Sequence, residues 1–262
     1  MHCTTRIRLL LLAATIGAAA CQPAEQSLRS GSGADSAVPA FVVAADAASV
    51  PASSPAAEPE AWRLAFVDVE TTGLVPGWHE MIDLGVVITD LDGRALDSLF
   101  VRVQPSHPER TSEGARAVNA FDAERWRELG ALAPGAAVDS LRAFHRRVAG
   151  GEPVLLVAFN SQFDAAFLDH LFRARGGSWR ELYHYFVLDI PSMAWALGYR
   201  DLTGGTLADR LGVDDEPHVA EDHTGITGAR LNARLYRALR SRDLDPIGAG
   251  ARPAADSPDP RS

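Results

Sequence analysis

The chain has 262 residues, with 25 basic and 34 acidic side chains, a formal net charge of -9 and 47 % hydrophobic residues. That balance belongs to a globular protein and excludes a chain disordered throughout. Every basic residue is arginine, which excludes lysine Schiff-base chemistry and any phosphate loop built on a lysine. The acidic excess argues against a protein that coats duplex DNA with a broad basic surface.

The chain opens with Arg6 and Arg8, an apolar run from Leu9 to Ala20, and then Cys21. Twelve residues make a helix of about 18 Å, too short for a bilayer core of about 30 Å. Residues 1–21 are therefore expected to be a secretory signal peptide. Ala18-Ala19-Ala20-Cys21 resembles a bacterial lipobox. That resemblance implies a lipid anchor on Cys21 and a periplasm-facing lipoprotein of the bacterial cell envelope. The alternative is a cytoplasmic protein behind a mis-assigned start. Both cysteines, Cys3 and Cys21, fall here, so the rest of the chain has no disulfide, Cys-ligated zinc or thiol nucleophile. In residues 22–60, Ala, Ser, Pro and Gly fill 25 of 39 positions, too little apolar surface to offset ordering entropy, so a flexible tether is expected. Residues 243–262 are similar in composition and expected to be a flexible tail. One folded domain is expected over residues 61–242.

Within that domain, Trp62 to Val69 reads as a strand running into a turn. Met81 to Thr89 and Ala95 to Val103 read as two more strands, joined by a hairpin at Asp92-Gly93. Helical patterns follow at Ala123 to Leu129 and Val138 to Val148, then a short apolar strand at Pro153 to Ala158. A helix is expected from Gln162 to Arg175, with Phe163, Phe167 and Leu171 at one-turn spacing and Gly176-Gly177 as its stop. Tyr185 to Leu188 is the expected fifth strand. Short helices near Ser192 to Leu197 and Leu207 to Leu211 precede a long one carrying Leu231, Leu235 and Leu239. Antiparallel strands followed by alternating strands and helices describe an α/β fold with a mixed sheet.

Asp68 and Glu70, two apart on the first strand, project to one face at its C-terminal end. Two carboxylates aimed at one point repel unless a cation joins them, and oxygen donors suit Mg²⁺ or Mn²⁺. The segment Phe66-Val67-Asp68-Val69-Glu70-Thr71-Thr72-Gly73-Leu74 resembles the first motif of the DEDD 3'-5' exonuclease superfamily. Val157-Ala158-Phe159-Asn160-Ser161-Gln162-Phe163-Asp164 resembles the second motif, and Pro217-His218-Val219-Ala220-Glu221-Asp222-His223 lies where the third belongs. The resemblance covers the whole domain. It implies a ribonuclease H-like exonuclease fold with a mixed five-stranded sheet flanked by helices. It also implies hydrolysis of single-stranded DNA or RNA 3' ends to nucleoside 5'-monophosphates, using two divalent metal ions.

Carried over, Asp68 bridges the metals, Glu70 binds one, Asp164 supports the other, and His218 is the general base. Thr71, Thr72 and Leu74 contact the terminal nucleotide, with Asn160 assisting. The fourth acid departs from the pattern. Five residues after His218 stands His223, and Asp222 comes one residue early. Either His223 replaces the ligand, which favours Mn²⁺ or a softer ion, or Asp222 reaches the site from one position away. A domain that keeps the fold and binds nucleic acid with impaired catalysis is the alternative to an active enzyme. Trp78 and His79 could stack on a base, and Arg230, Arg234 and Arg237 form a stripe at helical spacing, usually a solvated face.

Overall fold

The computed structural model describes Ala40, Val42 and residues 53–152 and 154–242. The expected signal segment, the lipobox, most of the tether and the tail beyond Arg242 lie outside the described residues. Among the described residues, no helix is long and apolar enough to cross a membrane.

Strand β1 (Arg63–Thr71) is the axis of the domain. It pairs antiparallel with β2 (Met81–Thr89), which pairs antiparallel with β3 (Ala95–Arg102). On its other side β1 runs parallel to β4 (Val154–Ala158), and β4 to β5 (Val187–Asp189), giving the order β3-β2-β1-β4-β5. The Asp92-Gly93 turn closes the β2–β3 hairpin, with Gly93 at φ 78°. The fifth strand begins two residues later than its apolar pattern indicates. Tyr185 and Phe186 instead stack on each other at the surface, ring centroids 4.1 Å apart.

Alternation along β1 divides the core. Ala65, Val67 and Val69 face α3 (Pro134–Ala149) and α4 (Ser161–Phe172). Leu64 and Phe66 face α5 (Ile190–Ala196), α6 (Gly204–Leu211) and α7 (Gly225–Arg240). Helix α3 forms because Pro134 opens its first turn, Val138, Leu141 and Phe144 repeat on one face, and Gly150 ends it in the left-handed region. Burying Leu141 and Phe144 stabilises the layer by roughly 1.5–3 kcal/mol each. Helix α4 stops at Phe172, where a 3-10 turn over Arg173–Arg175 takes up the residues expected to extend it.

Two short helices lie between β3 and α3. The first, α1 (Glu113–Asn119), has no counterpart in the sequence expectations. The second, α2 (Ala123–Glu128), carries Trp126, whose indole donates to Ile82 O at 2.8 Å and packs with Ile82 and Phe121.

Helix α7 approaches the sheet backbone to backbone. A Cβ at Gly85 would overlap the Gly225 carbonyl, and one at Gly225 would stand 2.5 Å from Asp68 O. Only glycine permits that approach. It is reinforced by buried Asn232 on α7, which donates to Val67 O at 3.0 Å. The first turn of α7 therefore lies directly over the end of β1 that carries Asp68 and Glu70.

Candidate active site

The acids converge at the C-terminal end of β1. Asp68 and Glu70 share the α7 face by strand alternation. The chain leaves β4 through Asn160, held in the left-handed region at φ 67°, ψ 54°, and this turn places buried Asp164 in the first turn of α4. Ser161 N donates to Asp189 Oδ1 at 3.1 Å, tying that turn to the end of β5. Burial pushes the Asp68 carboxyl well above the ordinary range, with the charges of Asp164, Glu70, Glu216 and Asp83 adding to it. Burial also raises Asp164, opposed by hydrogen bonds from its own amide and that of Val69 and assisted by Glu70 and Asp189.

Glu70 is held from two sides. Asn119, at the end of α1, donates to Glu70 Oε2 and to Thr71 O, each at 3.1 Å. The His223 imidazole meets Glu70 Oε1 through Nε2 at 3.1 Å. The other ring nitrogen of His223 lies 3.3 Å from Pro217 O and 3.6 Å from Glu216 Oε2. The hydrogen bond to Glu70 pushes His223 up to about 9, against desolvation, so the ring carries a positive charge at neutral pH. Burial raises Glu216, with the charge of Glu70 adding and that of His223 opposing.

The structure brings Asp68, Glu70, Asp164 and His223 together. It does not bring His218 or Asp222 to them. His218 is 80 % exposed and pairs with Asp215 Oδ2 at 3.1 Å, and Asp222 is exposed. The hydroxyls of Thr71 and Thr72 shape the loop over residues 73–80. Thr71 Oγ1 donates to Gly73 O at 2.7 Å, and Thr72 Oγ1 accepts from Glu80 N at 2.9 Å. Leu74 projects from that loop, 80 % exposed, beside a cleft of about 370 Å³ that Glu70, Asn119, Val118 and Phe163 also line. Asn160 is exposed, with no side-chain bond to the helix it begins. Trp78 is exposed and carries the Arg110 guanidinium 4.2 Å over its ring, whereas the His79 ring fills the space beside Gly73 and accepts from Val75 N at 3.0 Å. In the arginine stripe, Arg234 donates to Asp214 O at 2.8 Å and anchors the chain before Glu216.

Three contributors were missed in the sequence. Asn119 gives no signal, because its helix is short and polar. Glu216 hides in the acidic run Asp214-Asp215-Glu216. Asp83 was detectable, a lone acid inside the apolar run Met81 to Thr89. Its Oδ1 accepts from Gly225 N at 2.8 Å at the start of α7, while Oδ2 is buried without a hydrogen-bond partner among the described residues. Burial pushes Asp83 up to about 7, against the Gly225 hydrogen bond and assisted by Glu70.

Among the described residues, no three His, Cys, Asp or Glu side chains already stand in an arrangement able to hold an ion. The donors nonetheless fit a hard divalent cation. They are carboxylate oxygens, and Asp68 and Asp164 are raised by burial and neighbouring negative charge, which a bound cation would relieve.

A sheet ordered β3-β2-β1-β4-β5, flanked by helices and with acids at the end of its central strand, is the ribonuclease H-like fold of 3'-5' exonuclease domains. The sequence is 24 % identical to the 3'-5' DNA exonuclease Cap18 of Escherichia coli over 173 residues, 66 % of this chain and 89 % of that protein. No protein-family model matches. Among solved structures, the fold is similar to a zinc-bound form of the E. coli exonuclease I–single-stranded DNA complex. The TM-score is 0.57 at 14 % identity, over 69 % of this chain and 41 % of that one. It is also similar to the nuclease domain of 3'hExo, a DEDDh family member, bound to rAMP, with TM-score 0.55 at 15 % identity over 68 % of this chain and 90 % of that one. The chain thus spans about 41 % of the length of exonuclease I and nearly all of the 3'hExo domain.

Proposed function

We propose that the protein is a metal-dependent 3'-5' exonuclease that removes nucleoside 5'-monophosphates from single-stranded nucleic-acid ends. The observation that carries this reading is the convergence of Asp68, Glu70 and Asp164 at the end of the central strand, with Asp68 and Asp164 raised by burial and by their acidic neighbours. The likeness to Cap18 and to exonuclease domains supports it.

Asp68, Glu70 and Asp164 would hold two divalent ions, Mg²⁺ or Mn²⁺. When bound, the ions lower the pKa of a water and neutralise charge on the phosphodiester oxygens. Asn119 fixes the Glu70 carboxylate for that task. Leu74 and Phe163 line the cleft beside Glu70 and would receive the terminal nucleotide, and Thr71 and Thr72 hold the loop that presents Leu74. Asn160 begins the helix carrying Asp164 and would face the same end of the strand. A histidine would take the proton of the attacking water. His218 fills that role if the chain between α6 and α7 swings it inward from Asp215, whereas His223, already protonated against Glu70, cannot accept that proton. The acidic net charge is no obstacle, because part of it belongs to the ion-holding carboxylates.

A second reading, a nucleic-acid-binding domain with impaired catalysis, draws on one observation. A cationic imidazole, His223, stands where the third motif expects a carboxylate. The full-length protein on 5'-labelled single-stranded DNA and RNA, with Mg²⁺ or Mn²⁺, separates the two. A ladder of single-nucleotide steps supports the enzyme and shows which sugar it accepts; binding with no ladder under either ion leaves the second reading. For location, Arg6, Arg8, the apolar run to Ala20 and Cys21 support a lipid-anchored protein of the bacterial envelope. Globomycin-sensitive processing that a Cys21→Ala change abolishes would test that.

A further inference from the structure

The chain between α6 and α7 carries an acid that the third motif does not mark. We propose that Glu216 is the fourth carboxylate of the cation site, taking over from the position that His223 occupies, and that it binds a divalent cation together with Asp68 and Glu70. This rests on the exonuclease reading and names the ligand that reading leaves open.

Position is the first argument. The Glu216 side chain is 19 % exposed, with Oε2 3.6 Å from His223 Nδ1 and 3.5 Å from the hydroxyl of Thr227 in the first turn of α7. That turn lies on Asp68, because a Cβ at Gly228, the next residue, would stand 2.5 Å from Asp68 Cγ. Asp222, by contrast, is exposed, and its amide bonds back to Val219 O at 2.9 Å.

Anchoring is the second. Arg234 Nε donates to Asp214 O at 2.8 Å, and Nη2 lies 3.4 Å from Asp215 O. Glu216 N donates to Asp215 Oδ1 at 2.8 Å. Such fixing is what a ligand needs to keep its orientation. Charge is the third. Glu216 adds a carboxylate beside Asp68, Glu70 and Asp164, and negative charge gathered at one point favours a hard divalent cation with oxygen ligands. His223, with Nε2 on Glu70 and Nδ1 toward Glu216, lies between two of these acids, where positive charge is favoured.

The test measures Mn²⁺ binding by the full-length, chelator-treated protein, following loss of the aqueous Mn²⁺ EPR signal. The Glu216→Gln variant is expected to bind at least one ion tenfold or more weakly than wild type. Glu216→Asp, one methylene shorter, should fall between them, and Glu221→Gln, on the same segment but exposed, should match wild type. Each metal-free variant is checked by its melting temperature. Asp68→Asn separates this inference from the reading beneath it. Wild-type binding by Glu216→Gln alongside lost binding by Asp68→Asn overturns the role of Glu216 alone. Unchanged binding in both overturns the cation site itself, and a loss in Asp222→Asn but not in Glu216→Gln gives the position to Asp222.

Discussion

The close seat of α7 on Asp68 makes Gly228→Ala an informative single change. The added methyl would stand 2.5 Å from Asp68 Cγ and 3.0 Å from Oδ1, and closer still to Oδ2. Carbon atoms pack at about 3.5–4.0 Å, so roughly 1 Å of separation must be found. The helix cannot readily lift, because Gly225 N is bonded to Asp83 and Asn232 to Val67 O. The Asp68 carboxylate is therefore the part that moves. Alanine in a helix gains about 1 kcal/mol over glycine, and overpacking costs about 1–3 kcal/mol, so net stability should fall by no more than about 2 kcal/mol. Activity should fall much further. A misplacement of about 1 Å at the reacting centre costs on the order of 100-fold in rate. The assay compares kcat/KM on a 5'-labelled single-stranded oligonucleotide with Mn²⁺ against the melting temperature of the same protein. A variant within threefold of the wild-type rate would refute the claim that Asp68, held under this glycine, positions an ion.

Two further outcomes concern stability. Asp83 holds its proton to about 7 in the fold, whereas a free aspartate loses it near 3.8, so the folded chain binds more protons between those values and loses stability as pH rises through them. The gap corresponds to on the order of 4 kcal/mol by pH 8. Asp83→Asn keeps an acceptor for Gly225 N, so in chelator its advantage over wild type in urea unfolding should be much larger at pH 8 than at pH 5; parallel curves would contradict this. Ala120, which ends α1 at φ 48°, ψ 34°, sits in a conformation disfavoured for a residue with a Cβ by roughly 1–2 kcal/mol. Ala120→Gly should raise the melting temperature by about 2–4 °C, and an unchanged or lowered value would show the strain to be absent.

The strands were legible because their signals are local. Asp92-Gly93 between two strand-forming runs fixes a hairpin wherever the chain lies, and the alternation of Leu64, Phe66, Asp68 and Glu70 assigns the two acids one face. Helix α1 was not legible. Its segment holds only Ala115, Ala117 and Val118 as apolar residues, and it is secured by Asn119 bonding to Glu70 and Thr71 rather than by periodicity. Nor was the contact of α7 with the sheet, which depends on Gly85, Gly225 and Gly228 being absent side chains. The third motif shows the limit most clearly. Spacing along the chain brings residues 216–223 to the mouth of the site. Which side chain turns inward is set by Arg234 holding the main chain at Asp214 and by the start of α7, and those contacts place Glu216 and His223 inward and His218 toward Asp215.

The most direct measurement follows a 5'-labelled single-stranded oligonucleotide with the full-length protein and Mn²⁺, alongside Asp68→Asn and Asp164→Asn. The convergence of these carboxylates predicts a ladder of single-nucleotide shortening from the 3' end, lost in chelator and reduced by more than about 100-fold in each variant, since loss of even a residue that only supports a metal ligand costs roughly 10–100-fold. Shortening that persists in both variants, or that proceeds at the wild-type rate in chelator, would contradict it.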